Sequence, residues 1–134
     1  MFHMKPKVLV LGINPSYKKK KNPTLIRLHQ WMSEIGCGIF SFSNIIHKEG
    51  VYNKSDIDYD WINQCCQGYD RVFALGDFVS AALARINIPH YPLPHPSPLN
   101  RNLNNKKYER DQLKAAARYI HGTDTILRRV SEVF

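Results

Sequence analysis

Val8-Leu9-Val10-Leu11-Gly12-Ile13-Asn14-Pro15-Ser16 is the stretch that decides how this chain folds. A strand with one wet face alternates apolar and polar residues. Four aliphatic residues in a row, preceded by Lys7 and closed by a glycine, instead predict a strand buried on both faces of a parallel sheet. The turn formers Asn14 and Pro15 then release the chain into a loop. Beyond it Leu25, Leu28, Met32 and Ile35 recur at helical spacing until Gly36 stops the run, so the opening third is a strand-loop-helix unit.

The unit repeats with variations. Residues 38–43 alternate apolar and small side chains, as a strand with unequal faces does, and Asn44 stands at its carboxyl end. Ser55 or Asp56 is expected to cap a helix carrying Ile57, Trp61, Ile62 and Cys65. Residues 71–76 repeat the strand-then-glycine pattern, and Asp77 is expected to cap a helix over residues 79–86. A last strand over residues 89–93 leads into His95, residues 104–121 read as a helix closed by Gly122, and Thr123 or Asp124 opens a terminal helix with Ile126, Leu127 and Val130. The expected fold is a single three-layer α/β/α sandwich over residues 1–134, with a central, mainly parallel four-stranded sheet. Ligands of such sheets bind beyond the carboxyl ends of the strands, where Gly12, Asn44, Gly76 and His95 all fall.

Composition narrows the partner. The 134 residues are 43% hydrophobic, enough for one core, and 19 Lys and Arg against 11 Asp and Glu leave a formal charge of +8. The cations are segregated: Lys18, Lys19, Lys20 and Lys21 precede the first acid at Glu34, acids fill the middle, and Arg101, Lys106, Lys107 and Arg110 follow the fourth strand. Two basic regions that meet on one face would form a phosphate-binding surface; apart, they are two solvated faces. Cys37, Cys65 and Cys66 form neither a CxxC pair nor a disulfide framework, which fits a reducing compartment. No apolar run reaches the roughly 20 residues a bilayer span needs. The chain is therefore read as a soluble intracellular monomer, with no membrane partner, no cofactor and no metal-ligand set.

Two motifs carry a family likeness. Gly12-Ile13-Asn14-Pro15 resembles the Gly-x-Asn-Pro element that follows the first strand in the mismatch-specific and single-strand-selective branches of the uracil-DNA glycosylase superfamily. His95-Pro96-Ser97-Pro98-Leu99-Asn100 resembles the superfamily's His-Pro-Ser-Pro-x-Asn element, and Asn100-Arg101 continues it in the manner of the single-strand-selective branch. Asn44, after a hydrophobic strand, resembles the asparagine that reads the pyrimidine edge. The resemblance runs in order from Val8 to about Asn104. It implies a DNA repair hydrolase that flips a base out of single-stranded or duplex DNA and breaks its N-glycosidic bond without a Schiff base.

The chemistry of these residue types agrees. Breaking the bond leaves electrons on the departing base, and His95 can donate a hydrogen bond to the developing anion even as a neutral imidazole. The other histidines, His3, His29, His47, His90 and His121, read as surface residues. Asn14 can position a water through its amide but cannot serve as a carboxylate base, where the uracil-specific branch carries Asp. Gly12 permits close approach, Ile13 and Pro15 shape the backbone of the pocket, and Asn44 offers one donor and one acceptor to a pyrimidine edge, although an asparagine closing a loop accounts for it equally well. Tyr17, ahead of Phe40 and Phe42, is the candidate stacking ring. Ser16 is small where the uracil-specific branch has a bulky tyrosine, so 5-substituted pyrimidines are expected to fit. Ser97, Pro98, Asn100 and Arg101 are expected against phosphates, with Leu99 either a wedge entering the duplex or a buried loop residue. Two other readings remain: a binding module of the same shape, weak or inactive in catalysis, and a nucleoside- or nucleotide-processing enzyme.

Overall fold

The computed structural model describes residues 6–15 and 22–122. Four strands form one sheet in the order β2-β1-β3-β4, all neighbours parallel. They are β1 (Val8–Gly12), β2 (Ser41–Asn44), β3 (Arg71–Leu75) and β4 (Tyr91–Leu93), and the helices are α1 (Pro23–Glu34), α2 (Tyr59–Cys66), α3 (Gly76–Arg85) and α4 (Lys106–His121). Every residue of β1 is buried, as its unbroken aliphatic run requires. Because strand side chains alternate, β1 sends Val8 and Val10 to one layer and Leu9 and Leu11 to the other. The first layer adds Leu28, Trp31 and Met32 of α1 and Leu113, Ala116 and Ile120 of α4; the second adds Ile62 of α2 and Val79, Ala82 and Leu83 of α3. Phe73 is fully buried at the sheet centre, where truncation to Ala would cost about 3–5 kcal/mol.

The connections position the site. The helix after β1 packs on one face and the helix after β3 on the other, so the chain parts in opposite directions from these adjacent strands. That is a topological switch point, and its crevice opens at the carboxyl ends between Gly12 and Gly76.

Several element boundaries differ from the expectation. β2 begins at Ser41, because pairing starts at Leu9↔Ser41 and the preceding backbone has no strand partner; Ile39 is 93% exposed. Asp58 caps α2, its Oδ1 accepting from the Trp61 amide at 3.0 Å, while Asp56 closes the 3-10 turn Lys54–Asp56 by accepting from the Asn53 amide at 2.8 Å. α3 starts at Gly76 behind Leu75, with no side chain capping it, so Asp77 lies inside the first turn. Arg101–Asn104 is a 3-10 turn, and Asn105 caps α4 through the Lys107 and Tyr108 amides. The expected terminal helix lies outside the described residues, as do Ser16, Tyr17, the four lysines and His3.

Candidate active site

At the carboxyl edge, β1 and β2 end in register with Gly12 paired to Asn44, so the two side-chain directions coincide. A methyl group at residue 12 would come within 2.9 Å of Asn44 Oδ1 and 3.1 Å of the Phe42 ring. Any side chain here would have to displace both groups, and the absent one lets the Asn44 amide and the Phe42 ring lie over the strand end. Phe42 is 38% exposed, an aromatic surface open to a ligand. Phe40 instead packs against the first core layer and tilts against His29, with ring centroids 5.0 Å apart. Among the described residues Phe42 is thus the ring placed beside Asn44; Tyr17 lies outside them.

Past Gly12 the backbone holds the next segment in place. Gly12 and Ile13 carbonyls accept from the Ile45 and Ile46 amides at 3.0 and 2.9 Å, continuing the ladder beyond both strands. Asn14 then spends its amide hydrogens: Nδ2 donates to the carbonyls of Lys48 at 3.1 Å and Gly50 at 2.9 Å. Only Oδ1 remains for a water, so Asn14 can accept a hydrogen bond from one but has no donor left to offer it. Pro15 is half-buried at the end of this segment.

On the far side of the crevice stands His95. Gly76 has φ +85, a left-handed backbone that glycine alone adopts without strain, and the position of its missing side chain is 3.5 Å from His95 Cβ and Cδ2. The imidazole therefore sits directly over the start of α3. Burial lowers the His95 pKa from its ordinary value, so the ring is neutral at pH 7. The Ser97 amide donates to His95 Nδ1 at 3.2 Å. A nitrogen that accepts from N–H carries no proton, so in the neutral ring the proton is on Nε2. The ring thus offers one N–H donor, on the nitrogen away from its own loop.

That loop is braced from within. Asn100 Nδ2 donates to the His95 carbonyl at 3.0 Å, the Asn100 amide donates to the Ser97 carbonyl at 3.0 Å, and Ser97 Oγ accepts from the Leu99 amide at 3.1 Å. Ser97 and Asn100, expected against phosphates, are thus chiefly occupied in shaping the loop. Leu99 projects from it, 89% exposed, which removes the buried-leucine alternative. Pro98 and Arg101 are exposed beside it, while Pro96 is buried beneath.

Strand spacing of roughly 4.8 Å puts the ends of β2 and β4 about 14 Å apart, enough for a pyrimidine ring with a hydrogen bond at each edge once both side chains reach inward. Gly12 and Gly76 lie between them without side chains. Tertiary structure thus brings Gly12, Phe42, Asn44 and His95 to one carboxyl edge of the sheet. The sequence places Gly76 at the ligand-binding edge, but its left-handed turn beside His95 was not foreseen and it was given no role in the site. Sequence reasoning also passed over a cavity of about 300 Å³ against His95, lined by Gly76, Asp77, Asn100, Tyr108 and Gln112 among others. A cavity of about 750 Å³ opens at the opposite end of the sheet among Val8, Cys37, Ile39, Phe40 and Tyr69 and gathers none of these groups.

The other histidines are not all plain surface residues. His90 is half-buried, bonded to Ser80 Oγ and the Ile88 carbonyl at 2.8 Å each, and His121 bonds the Ile35 carbonyl. Among the described residues no three His, Cys, Asp or Glu side chains gather as a metal site, and no helix is long and apolar enough to cross a membrane. The class defined by fold and crevice is an all-parallel α/β sandwich with a polar site at its switch point. No family model, curated protein or solved structure matches the chain.

Proposed function

We propose that this protein is a DNA glycosylase that hydrolyses the N-glycosidic bond of uracil or a related 5-substituted pyrimidine in DNA by base flipping. The observation that carries the reading is the state of His95: a neutral ring whose Nδ1 accepts from the Ser97 amide and whose Nε2 holds the proton, placed across a glycine floor from Asn44. A donor fixed before the reaction stabilises charge that appears only in the transition state, the electron pair left on the pyrimidine as its bond to C1′ breaks. Asn44 matches the opposite edge of that ring with one donor and one acceptor, and Phe42 offers a stacking face. Asn14 Oδ1 can orient the attacking water. Arg101, Lys106 and Lys107, exposed on the segment that follows Leu99, supply phosphate attraction, and Leu99 is the group to fill the stack left by the extruded base.

The test is excision itself. Labelled single-stranded and duplex DNA carrying uracil or 5-hydroxymethyluracil is incubated with the protein and treated with alkali, which cuts only at abasic sites. Strand scission by the wild type and its loss in His95→Ala, with DNA affinity retained, is the expected result; no scission on any base refutes the reading. A second reading, a DNA-binding module without catalysis, is favoured by one observation: the Asn14 amide hydrogens are spent on loop carbonyls. It predicts a gel shift without abasic sites.

A further inference from the structure

The reaction lacks a proton acceptor. Asn14 is amidic, and its Nδ2 is occupied by Lys48 and Gly50. The one carboxylate lining the cavity against His95 is Asp77. In sequence it has the look of a helix cap, yet α3 is capped by no side chain and begins two residues earlier than such a cap would set it, with Leu75 at the cap position. Among the described residues no hydrogen bond or ion pair holds the Asp77 carboxylate. The left-handed turn at Gly76 is what sets His95 and the first turn of α3 side by side.

Resting on the glycosylase reading, we infer that Asp77 is the general base of the reaction, taking the proton of the water that attacks C1′. The C1′–N bond breaks with its electron pair passing to the pyrimidine, which the His95 Nε2–H stabilises. Water oxygen bonds to C1′ as one of its protons moves to the Asp77 carboxylate; the pyrimidine leaves as its anion and takes a proton from solvent, Asp77 returns its proton to solvent, and the products are free base and an abasic sugar. Asp77 and His95 both line a cavity of about 300 Å³, which has room for a water beside the carboxylate. The negative charge also discriminates between states: it repels the phosphodiester of bound DNA and attracts the positive sugar of the transition state, the differential that accelerates a reaction. A first-turn acid in a helix is favoured by the helix dipole wherever it points, so stability does not distinguish this role from a structural one.

The distinguishing experiment is the pH profile of single-turnover excision from uracil-containing single-stranded DNA by wild type, Asp77→Asn and Asp77→Glu. The wild-type rate should fall on the acid side as the carboxylate is protonated. Asp77→Asn should be slower by on the order of 10²-fold, should lose that acid limb, and should bind DNA as well or better. Asp77→Glu should recover part of the rate. His95 and Tyr108, the other titratable groups lining the cavity, are retained in these variants, so a limb that vanishes belongs to residue 77. In Asp77→Ala, added formate should restore excision. An Asp77→Asn protein that excises at the wild-type rate with its acid limb intact overturns the assignment and leaves the glycosylase reading standing. A wild type that releases no base removes both.

Discussion

Replacing Asn14 with Asp separates chemistry from architecture, because the two arguments predict opposite signs. Chemistry alone says that a carboxylate beside the reacting water should accelerate hydrolysis. Geometry says otherwise, since Asn14 Nδ2 donates to the Lys48 and Gly50 carbonyls at 3.1 and 2.9 Å. A carboxylate has no hydrogens to offer and would set its oxygens against theirs. Two net hydrogen bonds at about 1 kcal/mol each are lost, and because the bonds are solvent-exposed, water offsets most of the added repulsion. We expect loop opening to become easier by about 2 kcal/mol, a factor of roughly 30 in its equilibrium. The loop carries its own reporters, for trypsin cleaves after Lys48 and Lys54, and proteolysis tracks the open population when reclosing is fast. Asn14→Asp should be nicked at Lys48 roughly 30-fold faster than wild type and should excise base more slowly. An Asn14→Asp protein with unchanged nicking and faster excision would show that residue 14 acts as a catalytic surrogate for Asp and not as the loop's anchor.

Three further outcomes follow from the same geometry. Gly12→Ala should push the Asn44 amide and the Phe42 ring aside, since the new methyl would lie 2.9 Å from Asn44 Oδ1; excision should drop with little change in DNA affinity, whereas an unchanged rate would detach Asn44 from base reading. Burial lowers the His95 pKa, so below its ordinary value of about 6.5 the unfolded chain binds more protons than the folded one, and stability is lost as pH falls through that window. Thermal melts of wild type should drop more steeply on acidification than those of His95→Gln, and parallel curves would contradict a buried neutral ring. Replacing Lys18, Lys19, Lys20 and Lys21 by Gln should reduce the slope of log affinity against log salt by as much as about 3.6 if all four meet phosphates of duplex DNA, and identical slopes would place the tract away from DNA.

Much of the fold is legible locally. The aliphatic runs ending at Gly12 and Leu75 announce doubly buried parallel strands because no half-exposed strand tolerates them, and the spacing of Leu28 and Met32 announces the intervening helix. The candidate site is partly legible for the same reason: Gly12, Asn44 and His95 each follow a strand, and parallel strands deliver their carboxyl ends to one edge. What a residue's neighbours across the sheet are, local pattern does not state. That Asn44 shares its register with Gly12, that Ile39 finds no strand partner, and that Asn14 is consumed by carbonyls 34 and 36 residues away are facts of non-local pairing. Asp77 shows the limit most plainly: acid after a strand-ending glycine reads as a cap, and only the left-handed turn at Gly76 starts the helix two residues early, with Leu75 at the cap position, and frees the carboxylate to line the cavity of His95. Periodicity and turn chemistry act over a few residues and so determine element type; strand order, register and side-chain partners arise from the packing of distant segments, which tertiary structure alone decides.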